Sequence, residues 1–199
     1  MFDALIRRLR IHADQHHETR YYAEVRKEKA RKNLDIAARF IYMNKTCYNG
    51  LYRVNKHGQF NVPKGIYRNP NICDEPRLRA ASKALQIAQI KIGDFERVVS
   101  PSPHDFIYCD PPYDGCFANY QSGGFGDEDQ KRLKKAADRW ATSDSQILIS
   151  NSETKMIRKL YRDSGYRTNT INGQRHISAD ASTRGSIQEV VISNHVKRQ

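Results

Sequence analysis

The segment FIYCDPPYDG, residues 106–115, joins a short apolar run to an acid, two prolines and a tyrosine. Residues 106–109 have the aromatic and β-branched composition of a buried strand. The two prolines lack the amide hydrogen that a sheet ladder needs, so the strand is predicted to end at Asp110. The pattern predicts a strand that displays a carboxylate at its carboxyl end, followed by a stiff turn carrying an aromatic ring.

The sequence on both sides of this segment alternates strands with helices. Such alternation is typical of an α/β protein whose mostly parallel sheet has helices on its faces. The predicted strands are IKIGDF (90–95), DFIYC (105–109), QILISN (146–151) and SIQEVVISN (186–194), and the predicted helices are DEDQKRLKKAADRW (127–140) and ETKMIRKLYRDSG (153–165).

Polar residues stand at the predicted ends of three of these strands. Open α/β sheets place their sites at the carboxyl ends of strands. Asp94, Asp110 and Asn151 occupy such ends, which predicts an active-site rim. The alternative is that each residue only stops its strand and begins a turn.

The first 89 residues have a different character. Apolar residues return at helical spacing in two stretches, and a later segment rich in glycine, proline, tyrosine and asparagine interrupts the pattern. We therefore predict a helical segment over 1–43, with helices at 3–13 and 23–44, a lobe over 44–89 that is mostly loops before a helix at 76–89, and an α/β part over 90–199.

Charge and composition restrict the class of protein. The net charge is +12, from 34 Lys and Arg against 22 Asp and Glu, which favours a polyanionic partner such as nucleic acid. No apolar run approaches the roughly 20 residues of a membrane span, and no secretory signal pattern is recognised. The cysteines form no CxxC pair, so we expect reduced thiols and a cytoplasmic protein; they are Cys47, Cys73, Cys109 and Cys116.

The turn formed by DPPY, residues 110–113, is an elbow in the chain that suits one kind of chemistry in particular. An exocyclic amino group on a planar base is a poor nucleophile, because its lone pair is delocalised into the ring. If Asp110 and the Pro111 carbonyl both accept its hydrogens, the nitrogen can pyramidalise, and Tyr113 offers a face on which the ring stacks. Such a base must first be flipped out of a duplex. An ordinary turn is the alternative interpretation of the same four residues.

The whole set of motifs resembles a known family. DPPY (110–113) is preceded by NKTCYNGLYRVNKHGQFNVPKGIY (44–67) and followed by LISN (148–151) and STRGSIQEVVISN (182–194). In this order they resemble the Dam-like DNA adenine N6-methyltransferases. The resemblance implies a Rossmann-like, S-adenosylmethionine-dependent methyltransferase sheet with a target-recognition lobe at 44–89, methyl transfer to N6 of adenine, double-stranded DNA as the partner, and no metal.

The resemblance also implies roles for individual residues. In the family, the tyrosine of the YNGLYR stretch enters the opened base stack, the leucine touches a thymine methyl and the arginine reads a guanine. The implied catalytic residues are Asp110, Pro111, Pro112 and Tyr113; Asp94 and Asp110 bind the cofactor; and Tyr48, Asn49, Leu51, Arg53, Pro63, Tyr67, Arg175, Ser182 and Arg184 contact DNA.

One family element is not found in these 199 residues, namely the Phe-x-Gly-x-Gly turn that lets the backbone approach the cofactor. We therefore expect a sheet that is incomplete at its N-terminal side, with residues 106–109 left at an edge. Three interpretations are open: a second polypeptide supplies the missing strands, the chain is a truncated remnant, or it is an incomplete piece of a longer protein. The rival functions are a catalytically inactive, sequence-specific DNA-binding module and an RNA or nucleotide amino-methyltransferase.

Overall fold

The computed structural model describes residues 2–115, 125–141, 144–162, 164–175 and 185–194. The chain separates into two compact units, the first ending at Ile90 and the second beginning at Lys91. Each unit has its own apolar core.

The first unit is built on four helices and an irregular segment. Their bounds are α1 Phe2–Gln15, α2 Tyr21–Lys27, α3 Asn33–Thr46 and α4 Glu75–Leu85, with a single 3₁₀ turn at Tyr48–Gly50. Its core combines side chains from the helical segment and from the irregular segment, so residues 1–43 and 44–89 fold around the same interior. The buried members are Leu9, Tyr22, Val25, Ala38, Tyr42, Met43, Cys47, Phe60, Val62 and Ile72.

The single helix predicted over 23–44 is wrong, because the structure has two helices there. The chain leaves helical geometry at Glu28, where ψ is 136°. The guanidinium of Arg39, in α3, donates hydrogen bonds to the carbonyl oxygens of Val25 and Arg26 at 2.8 and 2.7 Å. These bonds satisfy carbonyl groups that a helix end leaves open, so the break is stabilised by packing that no local periodicity reveals.

The second unit contains a four-stranded sheet with helices, and the predicted mixed α/β class is confirmed. The strand order is β1-β2-β4-β3, and the only parallel pair among these strands is β1 with β2. The elements are α5 Phe95–Val98, β1 Phe106–Cys109, α6 Asp127–Ala141, β2 Gln146–Ser152, α7 Lys155–Tyr161, β3 Tyr166–Arg175 and β4 Gly185–Asn194.

A mostly parallel sheet was predicted, and that prediction is wrong. The missed strand β3 pairs antiparallel with β4 over ten residues, and β4 pairs antiparallel with β2. The sequence of β3, YRTNTINGQR, is largely polar, so it shows little of the apolar alternation that marks a half-buried strand. Its partner strand, rather than its own composition, stabilises it.

The strand predicted over residues 90–95 is also wrong. Asp94 instead caps the short helix α5 by accepting a hydrogen bond from the amide of Glu96 at 3.0 Å. Within the described part of the chain no strand pairs with this segment, and Ile90 and Ile92 are 76% and 99% exposed. An apolar run of strand-like composition forms no strand where no neighbouring strand accepts its hydrogen bonds.

The core of the second unit lies where α6 and α7 pack against the sheet. Leu133, Trp140, Ile149, Ile157 and Val190 are among its buried members. In contrast to these buried residues, β1 lies at the edge of the sheet, and its Phe106 and Tyr108 side chains are 63% and 56% exposed. A search of the described residues finds no helix that combines the length and the apolar character needed to cross a bilayer.

Candidate active site

Asp110 directly follows the last residue of β1, and its side chain is exposed. The hydroxyl of Ser150, on the parallel neighbour β2, donates a hydrogen bond to Asp110 Oδ1 at 3.0 Å. The hydroxyl of Tyr108 lies 3.1 Å from the same Ser150 oxygen. The acid is therefore oriented from one side by a serine–tyrosine pair while its remaining face stays open to a ligand.

Two buried amides hold the main chain of the elbow. Gln130, in α6, donates from Nε2 to the Pro112 carbonyl at 3.0 Å and accepts from Asn151 Nδ2 at 3.0 Å. Asn151 Oδ1 accepts from the amide of Asp114 at 2.9 Å. Both side chains are essentially fully buried, at 1% and 0% exposure. Breaking any of these bonds would leave a buried polar group unpaired, so the pair fixes the elbow.

The phenol of Tyr113 lies between these two anchored positions and is half-buried. Its hydroxyl donates to Glu189 Oε2, in β4, at 3.5 Å. Burial raises the pKa of Tyr113, and the nearby Glu189 and Asp110 carboxylates add to that effect, so the hydroxyl stays protonated. Beyond it, Thr154 donates from Oγ1 to Asp114 Oδ2 at 2.6 Å.

Asp94 lies in the cap of α5 rather than at the end of a strand. Its carboxylate pairs with Arg132 of α6 at 2.7 Å, and the same guanidinium contacts Glu96 and Asp129, each at 2.9 Å. The hydrogen bond from Arg132 is the main cause that lowers the pKa of Asp94. The Arg132 guanidinium also lies over the ring of Phe95, 5.1 Å from its centroid. One helix, α6, thus positions Asp94 through Arg132 and the elbow through Gln130.

In the first unit, the YNG turn at residues 48–50 presents Tyr48. Asn49 has a left-handed backbone, with φ of 54°, and the amide of Tyr48 donates to the Pro63 carbonyl at 2.9 Å. The Tyr48 side chain is 39% exposed. Leu51, by contrast, is half-buried and packs against the core of its unit. The turn is thereby anchored, with its tyrosine directed outwards.

Arg53 begins a compact hairpin that ends at Asn61. Val54 and Phe60 form an isolated antiparallel bridge across it. The exposed Arg53 donates from Nε to Asn61 Oδ1 at 2.8 Å. Asn55 Oδ1 accepts from two main-chain amides within the turn, at 2.9 and 3.0 Å, and so rigidifies it. The guanidinium is therefore held in a defined direction at the surface of the unit.

The NVPKGIY segment forms a second exposed stretch. Pro63 is exposed and Tyr67 is 43% exposed. A Cβ on Gly65 would lie 2.3 Å from a ring carbon of Tyr67 and 3.0 Å from the Cys47 carbonyl oxygen, so a larger residue here would displace the tyrosine ring. Ile66, fully exposed at 101%, was not singled out from the sequence. The sequence feature that could have drawn attention to Ile66 is the presence of a large apolar residue inside a basic, aromatic loop.

Some predicted residues cannot be placed at a site. Arg175 is described by its backbone alone, as the last residue of β3, and Ser182 and Arg184 lie outside the described residues. Cys47, Cys73 and Cys109 are free thiols, and burial raises the pKa of Cys109 to about 11, so its thiol stays protonated. In the described ranges, no group of three or more His, Cys, Asp or Glu side chains could hold a metal.

Sequence reasoning also missed residues that support the elbow. Gln130, Ser150 and Glu189 each touch one of its side chains or carbonyl groups. A glutamine on the buried face of an amphipathic helix and a glutamate within the apolar run of β4 were the available signals. Neither identifies its partner without the fold.

An oriented acid followed by two prolines and a tyrosine, at the end of a strand with a parallel neighbour, is the arrangement that the sequence motifs predict for an amino-group methyltransferase. The comparison with known families specifies the class further. The chain belongs to the D12 class of N6 adenine-specific DNA methyltransferases, whose family model matches residues 1–177. The resemblance indicated by the sequence motifs is confirmed.

Individual relatives agree with this assignment. The chain is 36% identical over 189 residues to the Type II methyltransferase M1.LlaDCHI of Lactococcus lactis subsp. cremoris, covering 88% of this chain and 66% of the relative. It is 37% identical over 195 residues to the Type II methyltransferase M.MjaIII of Methanocaldococcus jannaschii, covering 92% and 67%. The Retron Ec67 DNA adenine methylase of Escherichia coli is 35% identical over 155 residues, covering 78% and 54%. The chain thus spans about two thirds or less of the length of these relatives.

Proposed function

We propose that this chain contains the part of a site-specific DNA methyltransferase that binds and activates the methyl acceptor. The enzyme methylates N6 of an adenine flipped out of duplex DNA. The observation that carries the proposal is the exposed carboxylate of Asp110, oriented by Ser150 at the end of β1. A carboxylate in this position can accept a hydrogen from the adenine amino group. The Pro111 carbonyl, one residue further on, is the second acceptor.

The elbow lowers the barrier by being fixed before the base arrives. The amino nitrogen recovers a directed lone pair when both hydrogens are accepted, and the ring of Tyr113 provides the stacking surface. Gln130 and Asn151 hold the main chain on both sides of that ring. Little geometry therefore has to be established during the reaction, which is how preorganised polar groups stabilise a transition state.

The methyl donor of the proposal is S-adenosylmethionine, which supplies an electrophilic methyl group when bound. In this chain Asp94 and Asp110 would contact it, and both carboxylates are accessible. The fit is partial. The 199 residues contain no Phe-x-Gly-x-Gly turn, so the close backbone approach that this turn provides has to come from elsewhere.

We also propose that a second polypeptide completes the part of the sheet that binds the methyl donor. Two features support it: β1 is the edge of the sheet, and its Phe106 and Tyr108 side chains are more than half exposed. An unpaired edge strand of this kind accepts a further strand through its free amide and carbonyl groups. Pairing there would place new backbone beside Asp110, and a segment that packs on the same face of the sheet would cover the two aromatic side chains.

The recognition part of the proposal assigns base contacts to the first unit. Arg53, held by Asn61 in an exposed hairpin, suits the two acceptors of guanine, and the outward Tyr48 suits insertion into an opened stack. The proposed DNA contacts are Tyr48, Asn49, Leu51, Arg53, Pro63 and Tyr67 in this unit, together with Arg175, Ser182 and Arg184.

The test is methylation of duplex DNA by the chain alone and by the chain co-expressed with the unmatched part of M.MjaIII. Duplexes that present adenine in different sequence contexts are incubated with S-adenosylmethionine and analysed for N6-methyladenine by mass spectrometry. We expect N6-methyladenine in one context, and more with the co-expressed segment. Its absence from every context in both preparations would contradict the proposal.

A second candidate function is a sequence-specific DNA-binding module without catalysis, for which the exposed Arg53 hairpin and the outward Tyr48 would suffice. Calorimetric titration with S-adenosylmethionine distinguishes the two functions. Binding supports the methyltransferase, whereas no heat at millimolar donor, together with intact duplex binding, supports the module. Comparing duplex DNA with single-stranded RNA at one salt concentration tests the RNA alternative.

A further inference from the structure

Helix α7 carries a row of cations that the proposed chemistry does not use. Lys155 and Lys159 lie four residues apart on one face of α7, and Arg162 is the cap residue that directly follows the helix. All three are exposed. They line a groove of about 590 Å³ together with Glu153, Thr154 and Arg158. The row is about 10 Å long at 1.5 Å per residue.

The one acid in this groove is already neutralised. Arg158 donates to both carboxylate oxygens of Glu153 and also to the hydroxyls of Thr168 and Thr170. The hydrogen bonds that Glu153 accepts from Arg158 and from the Thr170 hydroxyl lower its pKa, so the carboxylate stays ionised and paired. Because the ion pair cancels its own charge, the groove keeps the three charges of the row.

The three cations of the row have no ion-pair partner among the residues that the structure describes. Helix α6 of the same unit is different. There Lys131 pairs with Glu128 at 2.7 Å, and Arg139 pairs with Glu96 at 2.9 Å. On α6 these two cations are compensated by acids, whereas the three cations of the row are not.

The row begins next to the elbow. Thr154 caps α7 by accepting from the amide of Ile157, and its hydroxyl donates to the carboxylate of Asp114 at 2.6 Å. Asp114 lies four residues after Asp110 and its amide is held by Asn151. Lys155 therefore stands at the same edge of the sheet as the proposed acceptor site, and the other two cations extend away from it.

We propose that this face of α7 binds the phosphate backbone of the duplex that flanks the target base. A DNA duplex carries about one negative charge per 1.7 Å of its axis, so a row of unpaired cations gains affinity by releasing condensed counterions. Its contacts are independent of sequence, unlike those assigned to Arg53. This inference rests on the proposed function and extends its DNA-binding surface to the second unit.

The test compares two triple variants with equal changes in charge. One is Lys155→Gln, Lys159→Gln and Arg162→Gln; the control on α6 is Lys131→Gln, Lys135→Gln and Arg139→Gln. Affinity for a fluorescein-labelled 20-base-pair duplex is measured by anisotropy between 50 and 200 mM salt. Thermal unfolding of both variants, followed by circular dichroism, verifies that these exposed substitutions leave the fold intact.

We expect the α7 variant to bind more weakly at low salt and to lose less affinity as salt increases. The loss of three phosphate contacts makes the slope of log affinity against log salt less steep by about 2.7. Over this fourfold range of salt concentration, the variant therefore loses roughly 40-fold less affinity than wild type. A slope equal to that of the α6 control overturns the inference, as does a wild-type chain that does not bind duplex DNA. If duplex binding is normal but no methylation is detected, the result contradicts only the proposed reaction.

Discussion

The side-chain amides of Gln130 and Asn151 are hydrogen-bonded to each other at 3.0 Å in the interior of the second unit. Through their remaining atoms they hold the Pro112 carbonyl and the Asp114 amide, which lie on either side of Tyr113. A residue of α6 and a residue of β2 thereby fix an elbow that belongs to neither element. This link between the packing of α6 and the site leads to the first of four predictions.

We expect Gln130→Leu to destabilise the protein by about 2–3 kcal/mol, because it leaves the Pro112 carbonyl and the Asn151 amide unpaired in the interior. Denaturant unfolding measures the effect. Gln188→Leu, at an exposed position of β4, is the matched control and should change the free energy of unfolding by less than about 0.5 kcal/mol. Equal losses in the two variants would show that the amide pair does not hold the elbow.

We expect Asp110→Asn to reduce methylation by at least about 100-fold in the preparation that methylates, since an amide is a poorer acceptor and can present a donor instead. Duplex affinity should stay within about threefold of wild type. The control is Asp144→Asn, which removes an exposed acid in a left-handed turn position that asparagine tolerates. Methylation by Asp110→Asn within a few fold of wild type would refute the acceptor role.

Arg53→Ala should weaken binding of the preferred duplex by about 1–3 kcal/mol and relax the preference at one base pair. The reason is that the guanidinium, directed by Asn61, matches two acceptors of a single base. Lys56→Ala, in the exposed turn of the same hairpin, is the control. Anisotropy with duplexes substituted at each position measures both, and a uniform loss across all sequences would identify Arg53 as a phosphate contact.

Acidification should destabilise the first unit through two buried histidines. Burial lowers the pKa of His12 and of His16 below the ordinary value of 6.5, with help from Arg8 and Lys64 respectively. The unfolded chain therefore binds more protons than the folded chain just below pH 6.5. The free energy of unfolding thus falls as pH decreases through that window and is fully retained above it.

The measurement is denaturant unfolding at pH 7.5 and at pH 5.5, where few carboxylates change protonation. The double variant His12→Gln and His16→Gln should lose less stability on acidification than wild type. His57→Gln, in the exposed hairpin, should lose as much as wild type. If the double variant is as acid-sensitive as wild type, the histidines are not the source.

Local signals predicted much of the second unit. The proline pair ended β1 at Cys109, and the acidic first turn and apolar spacing of α6 located a helix that the structure begins at Asp127. Asp110 directly follows β1, and Asn151 lies near the carboxyl end of β2, the parallel neighbour of β1. These features depend on a few adjacent residues, which is why one sequence suffices for them.

Other features depended on partners distant in sequence. The polar strand β3 forms because β4 accepts its hydrogen bonds, whereas the apolar segment before Asp94 has no paired strand among the described residues. Gln130 and Glu189 showed no local sign of contacting the elbow, since their partners lie 18 and 76 residues away.

The amino-acid sequence by itself determined which chemical groups are available: an acid followed by two prolines and a tyrosine, an arginine in a turn-rich loop, and an excess of positive charge. These are properties of side chains and of short backbone segments. Only the tertiary structure decided which side chains hold the elbow, which cations remain unpaired on α7, and which face of β1 is exposed. The physical reason is that hydrogen bonding, charge compensation and burial are relations between residues that only folding brings together.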